Sequence, residues 1–190
     1  MKLRFVSVTD VPALLSVYSC YIPTTVTFEY ALPGVEEFTK RVASISQTYP
    51  YLVLEETSTV LGYAYAHPIA ERAAYGWGVE LSVYLHPDIV GQGFGKKLYQ
   101  TLIDLLRLQG VRTVYGLVAS PNPGSEGLHR SLGFRLMGVQ QNAGYKNGRW
   151  VDLLWFEKPI APYVLNPTPV VPVGTLPPEQ VQAAILAHFP

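Results

Sequence analysis

The sequence predicts a mixed α/β sandwich, one seven-stranded sheet flanked by helices. Three observations lead there. Short apolar runs of period two alternate with longer stretches of helical period, in the order strand, two helices, three strands, helix, strand, helix, two strands. A glycine-rich turn joins one of those strands directly to the longest helical stretch. The 190 residues suffice for one full core and are too few for two, and no internal repeat divides them.

Leu3 to Val8 alternates as a first strand, and Thr9 or Asp10 can cap a helix that carries Val11, Leu14, Leu15, Tyr18 and Ile22 on one side. From Gly34 to Tyr49 a second helix turns Val35, Phe38, Val42 and Ile45 inward, with Glu36, Glu37, Lys40 and Arg41 on the wet side. Tyr51 to Glu55 and Val60 to His67 form a hairpin around Glu56-Thr57-Ser58-Thr59. A strand over Val79 to Leu85 follows, then a helix over Gly93 to Gln109 that Gly110 closes. Val111 to Val118 is bulky on both faces, which places it centrally. Asn122 to Leu132 is a short helix ended by Gly133, and Phe134 to Asn142 and Trp150 to Lys158 complete the sheet.

Residues 1–158 therefore read as one domain. Beyond it Pro159, Pro162, Pro167, Pro169, Pro172, Pro177 and Pro178 forbid regular structure and favour an extended tail over 159–190. Val164, Leu165, Val170, Val171 and Val173 make that tail apolar, so it is expected along the domain or a second subunit. Pro178 to Phe189 can form a small amphipathic helix.

Lys plus Arg equals Asp plus Glu at 14 each, with no basic block, which leaves no electrostatic footprint for nucleic acid. The N-terminal segment lacks the apolar core of a signal peptide, and no 18-residue apolar run occurs, so a soluble cytoplasmic protein with no membrane partner is expected. The single Cys20 rules out an internal disulfide, joins no metal-ligand cluster and is expected in the core; no metal site is expected.

The most informative stretch is the strand ending at Leu85 and the turn Gly91-Gln92-Gly93-Phe94-Gly95 that opens onto Lys96 and Lys97. Alternating glycines let the backbone approach a ligand, and the first amides of the following helix have no partner within it. The turn is thus an anion site suited to a pyrophosphate. A Walker loop needs a glycine separated by four residues from Gly-Lys-Ser/Thr, but Val90 and Lys97 occupy its diagnostic positions. The dinucleotide fingerprint needs Gly-x-Gly-x-x-Gly, and this turn reads Gly-x-Gly-x-Gly with no acidic residue ending a strand about 20 residues on. What remains is similar to the Gln/Arg-x-x-Gly-x-Gly/Ala loop that holds the coenzyme A pyrophosphate in GNAT N-acetyltransferases, with Gly93 and Gly95 in register. Val90 stands where that family places Gln or Arg, which removes one side-chain contact and leaves the backbone ones. A tight strand-to-helix connection without a ligand is the plain alternative.

Separated motifs narrow the resemblance. Tyr21-Ile22, Thr24 to Phe28, Arg72 to Trp77, Glu80, Ser82 to Tyr84, Pro121-Asn122, Leu128-His129, Leu132 to Phe134 and Gly144 to Asp152 together resemble the phosphinothricin acetyltransferase family over essentially the whole chain, tail included. The resemblance implies the GNAT acyl-CoA N-acyltransferase fold with splayed central strands and acetyl-CoA as co-substrate. It also implies a small amino acid or analogue such as phosphinothricin or methionine sulfoximine as acceptor, direct attack in a ternary complex, and, with the apolar tail, a homodimer.

Acetyl transfer to an amine demands a neutral amine, a thioester carbonyl within reach and stabilisation of the leaving thiolate. Glu80 lies in a mostly apolar strand, where a carboxylate must pair or take a raised pKa. The resemblance makes it the general base; a structural pair with a nearby Arg is the alternative. His129 stands where many GNAT enzymes carry a Tyr that protonates the departing sulfur. The resemblance implies either that acid or a hydrogen bond to the coenzyme without proton transfer. Asn122 and Ser125 can bond the pantetheine arm and are equally good helix-cap residues. Val83 and Leu85 would offer backbone groups to the pantetheine as to a further short strand. Val90, Gly91, Gly93 and Gly95 form the phosphate end, and one of Lys96 and Lys97 could meet a phosphate if they are not simply a solvated pair.

On the acceptor side, Arg72 offers a planar fork for a carboxylate or phosphinate, Tyr75 accompanies it, and Phe28 would wall the pocket. Lys146 and Trp150 sit in a Gly-x-Lys-x-Gly-x-Trp-x-Asp segment that reads as a hairpin turn with a buried Trp or as a binding element. Two other functions stay open. One is acetylation of a different amine, a peptide N-terminus or polyamine, which an acidic pocket would favour. The other is a catalytically silent acyl-CoA-binding module, which Val90 admits and the retention of Glu80 and His129 opposes.

Overall fold

A computed structural model describes residues 1–190. Its strands are β1 (Lys2–Phe5), β2 (Tyr51–Glu56), β3 (Thr59–Pro68), β4 (Gly78–Leu85), β5 (Thr113–Ser120), β6 (Arg135–Lys146) and β7 (Arg149–Pro159). Its helices are α1 (Val11–Ser19), α2 (Val35–Ser46), α3 (Phe94–Gln109), α4 (Pro123–Ser131) and α5 (Pro178–Leu186). The strands form one sheet in the order β1-β2-β3-β4-β5-β7-β6. Only β4 and β5 run parallel.

Alternation along β2 and β3 sorts the core into two layers. Tyr51, Val53 and Tyr63 pack with Val11, Leu14, Tyr18, Phe38 and Val42 of α1 and α2. Leu52, Leu54, Ala64 and Ala66 pack on the other face with Leu98, Leu102, Leu105 and Leu106 of α3. The tail belongs to this second layer, since Ala184 and Phe189 join its core. Gln109 anchors the tail: its buried amide donates to the carbonyls of Thr48 and Val171, each at 2.7 Å. No helix is long and apolar enough to cross a membrane.

Several local expectations shift. Asp10 does not cap α1 with its side chain. Its carboxylate accepts from the Ser7 amide, completing a capping box on the 3₁₀ turn Val8–Asp10, and takes both guanidinium nitrogens of Arg4 at 2.7 and 2.8 Å. The Arg4 hydrogen bonds hold this carboxyl below the usual Asp range. β5 starts later than expected because Val111 completes the end of α3: Gly110 is left-handed at φ 95°, and Val111 donates to the Leu106 carbonyl at 3.0 Å. Cys20 is exposed at the end of α1, outside the core, because the helix turns its Ser16–Cys20 edge to solvent.

Candidate active site

The site begins where β4 and β5 part. They pair only from Gly78 with Thr113 to Glu80 with Tyr115. His86 donates to the Leu61 carbonyl at 2.7 Å and Ile69 to that of Gly78 at 3.4 Å, so the even-numbered residues of β4 bond to β3. The odd-numbered ones, Leu81, Val83 and Leu85, therefore turn their main-chain groups toward a gap. Tyr99 fills part of it, donating to the Leu81 carbonyl at 3.0 Å, and Tyr21 donates to the Leu85 carbonyl at 2.5 Å. The amide and carbonyl of Val83 and the amide of Leu85 stay open.

A cleft of about 440 Å³ runs from that gap to the start of α3. Its lining includes Val83, Leu85, Val90, Gly91, Gly93, Gly95, Lys96, Asn122 and Ser125, every residue expected at the coenzyme, together with Tyr21, Val26 and Leu128. Gly91 and Gly93 take φ of 82° and 86°, and no amide from Gly93 to Lys96 has a main-chain acceptor. Asn122 uses Oδ1 to cap α4 through the Ser125 amide at 3.1 Å, which leaves its NH₂ for another partner. The two lysines separate: Lys96 faces the cleft, whereas Lys97 lies over the Phe189 ring of the tail at 5.8 Å. The open strand edge, the free amides and the length of this cleft fit an acyl-CoA arm and pyrophosphate.

Glu80 is the last β4 residue paired with β5, so its carboxyl stands at the fork. Its side chain is 20% exposed, and burial raises its pKa against the opposing pull of a charged His67. No Arg pairs with it; the partner is His67, directly across on β3, whose Nε2 lies 3.6 Å from Oε2. The sequence reading did not single out His67, because only the β3–β4 register brings it there. The alternation Tyr63, Tyr65, His67 was its one visible signal.

His129 departs from expectation. It is 2% exposed, stacked on Phe156 with centroids 5.2 Å apart and edge-on to Phe134 and Tyr99, and it does not line the cleft. Nδ1 lies 2.8 Å from the Ser125 carbonyl, which can only accept, so Nδ1 carries the ring proton. Burial lowers the pKa of this ring, which keeps Nε2 bare at neutral pH. That nitrogen is buried without a partner against Gly116, the first β5 residue beyond the fork. The geometry is that of a neutral acceptor and opposes the acid role.

On the acceptor side the structure divides the expected residues. Tyr75 lines a second cavity of about 260 Å³ with Trp77, Gly78, Arg112, Tyr115, Tyr163 and Pro167. Tyr115 is the register partner of Glu80, so this cavity adjoins the fork. Arg72 is exposed, its guanidinium makes no hydrogen bond or ion pair, and it lines neither cavity; the guanidinium present there is that of Arg112, whose buried Nε has no partner. The 3₁₀ turn Ala73–Tyr75 that Arg72 precedes holds Tyr75 and leaves Arg72 outside. Phe28 packs over Gly144, where a Cβ would fall 2.8 Å from its ring, and lines neither cavity.

Lys146 is buried and donates to the Thr27 carbonyl at 2.7 Å, tying the loop after α1 to the β6–β7 hairpin, and burial lowers its pKa. Trp150 is not buried: it is 62% exposed and meets Tyr145 edge-on. The segment is a hairpin whose turn, Asn147-Gly148, takes positive φ at both residues.

The chain matches the acetyltransferase (GNAT) domain family over residues 3–155. It is 38% identical to phosphinothricin N-acetyltransferase of Alcaligenes faecalis over 83% of this chain and 81% of that one. With an L-methionine sulfoximine/L-methionine sulfone acetyltransferase of Pseudomonas aeruginosa it shares 33% identity over 85% of this chain and 95% of the other. The fold superposes with a TM-score of 0.85 on the crystal structure of a GNAT superfamily phosphinothricin acetyltransferase from Sinorhizobium meliloti in complex with AcCoA. That match has 34% identity and covers 92% of this chain and 97% of that one.

Proposed function

Because the chain belongs to the GNAT family of acetyltransferases, we propose that it transfers acetyl from acetyl-CoA to the primary amine of a small amino acid or analogue of the phosphinothricin or methionine sulfoximine type. The observation that carries this reading is the placing of Glu80 at the fork, on the same strand whose later residues Val83 and Leu85 line a cleft with open strand groups and free helix amides. Bound acetyl-CoA supplies an activated acyl group as a thioester. The amides of Gly93 to Lys96 hold its pyrophosphate, with Lys96 beside them and no contribution from Val90. Val83 and Leu85 fix the pantetheine arm by main-chain bonds, with the Asn122 amide and Ser125 across the cleft.

Glu80 takes the proton from the acceptor ammonium and leaves a neutral nucleophile. A buried carboxyl with a raised pKa is suited to that task, because its basicity approaches the working pH. His129 is assigned no proton transfer; its bare Nε2 at the fork is a hydrogen-bond acceptor. The acceptor enters by the cavity of Tyr75, where Arg112 rather than Arg72 is placed for its acid group. A cytoplasmic homodimer completes the proposal: β6 is an edge strand with Leu136, Met137 and Val139 exposed.

Thiol release from acetyl-CoA is the test, with an amine panel headed by phosphinothricin and methionine sulfoximine. Glu80→Gln is expected to lower turnover by about 10²-fold or more while coenzyme affinity stays within a few fold. Release with peptides or polyamines alone would replace the acceptor class. Coenzyme binding without release for any amine would favour the silent binding module.

A further inference from the structure

Converting an ammonium and a thioester into an amide and a thiol liberates one proton per turnover, and that proton must leave from Glu80. Its carboxyl is mostly shielded at the fork. The route out is visible on the neighbouring strand. His67 faces Glu80 in the β3–β4 register with both side chains on one face, and its Nε2 lies 3.6 Å from Glu80 Oε2. Nδ1 lies 3.1 Å from the Pro68 carbonyl, an acceptor only, so it carries the ring proton and Nε2 presents a lone pair to the carboxyl. The His67 side chain is 31% exposed against 20% for Glu80, so the ring spans from the buried carboxyl to water. At 3.6 Å the two are in ion-pair range and short of a hydrogen bond, and catalytic contacts of this kind are commonly long in free sites and tighten once substrate is bound.

We infer that His67 is the proton exit of the site: it receives from the Glu80 carboxyl the proton taken from the acceptor and passes it to solvent. This rests on Glu80 being the general base. In the step, the Glu80 O–H bond breaks as an N–H bond forms at Nε2. Glu80 returns to carboxylate, and the imidazolium then loses one proton to water and is neutral again. His67 acts through Glu80 and touches no reacting atom. No other group about Glu80 can do this. Tyr65 and Tyr84 share its face, Tyr99 reaches in from α3 and Tyr115 stands across on β5, but burial pushes all four phenols up, Tyr65 to about 12. The charged pair beyond Tyr65, Arg41 with Glu29 at 2.5 Å, neutralises itself.

The test compares wild type with His67→Gln, which keeps a polar group but cannot carry the proton, and with His67→Ala. The readouts are the pH profile of kcat/KM and, in the ligand-free protein, the carbon-13 titration of the Glu80 carboxyl, assigned by its loss in Glu80→Gln. A charged His67 favours the carboxylate, so in His67→Gln both the carboxyl titration and the acidic limb should move to higher pH. The kcat should fall on the order of tenfold, less than for a lost base, and added imidazole should restore His67→Ala. An unmoved carboxyl titration and limb, or a folded His67→Ala that imidazole leaves unchanged, would overturn the relay. The two readings fail separately: a fully active Glu80→Gln removes the base itself, whereas an inactive Glu80→Gln beside an unaffected His67→Gln removes only the exit.

Discussion

Gly91, Gly93 and Gly95 repeat at one spacing, yet they are glycine for different reasons. The first two need the left-handed region, with φ of 82° and 86°. Gly95 is helical, and a Cβ there would meet Leu128 and Leu85 at an ordinary 3.6 and 3.7 Å. Its missing side chain keeps the face toward the cleft bare. Gly95→Ala should therefore leave thermal stability unchanged or slightly raised, by up to about 1 kcal/mol, while the Kd for acetyl-CoA rises at least about tenfold. Calorimetric titration beside a melting curve reads both, and unaltered affinity would mean that the ligand does not approach this backbone. The unusual setting of Glu80 was legible at this scale, because a carboxylate in an apolar strand must pair or take a raised pKa. His67 was not, since an imidazole at a strand end is unremarkable until a carboxylate is placed opposite.

At the scale of elements, helix periods and glycine stops were read well because the information is local. α3 ends where Gly110 was expected to end it, and the left-handed φ of 95° there is a demand on the backbone alone. Gly110→Ala should cost about 1–2 kcal/mol, measured as a lower denaturant midpoint at constant slope. Strand ends were read less well. The pattern of β6 breaks at a register shift between Gln140 and Gly144, with Asn142 at φ 51°, so the strand continues to Lys146 beyond its expected end. The turn Thr57-Ser58 carries positive φ at both residues without a glycine. The β2–β3 pairing imposes that shape against the preference of its residues.

For the whole molecule, the tail is the informative part. Prolines announce an extended chain but not its course. It crosses the end of α3, where Val171 donates to the Gln109 carbonyl at 3.0 Å, and buries Val173, Leu176, Ala184 and Phe189. His188 pairs with Asp104 at 2.8 Å. A chain ending at Pro159 should lose on the order of 3–6 kcal/mol, read by chemical denaturation, because it strips Ala184 and Phe189 from the second core layer and removes the buried Val173 and Leu176 as well. Light scattering of the same two chains bears on the dimer. A dimer in both locates the interface away from the tail, as the exposed β6 edge suggests, whereas a monomeric full-length chain ends that proposal.

The sequence by itself determined the class of fold, the number of strands and their order along the chain, and the glycine turn, because each depends on spacing within a few residues or on a conformation only glycine adopts readily. Tertiary structure alone decided which of these meet. It inserted β7 between β5 and β6, ended the β4–β5 pairing at Glu80, set His67 across from that carboxyl, turned His129 into the core and left Arg72 outside while Arg112 lines the cavity. The physical reason is that register and strand order are fixed by packing between segments far apart in the chain, and a one-residue change of register would reverse every face without altering a single local preference.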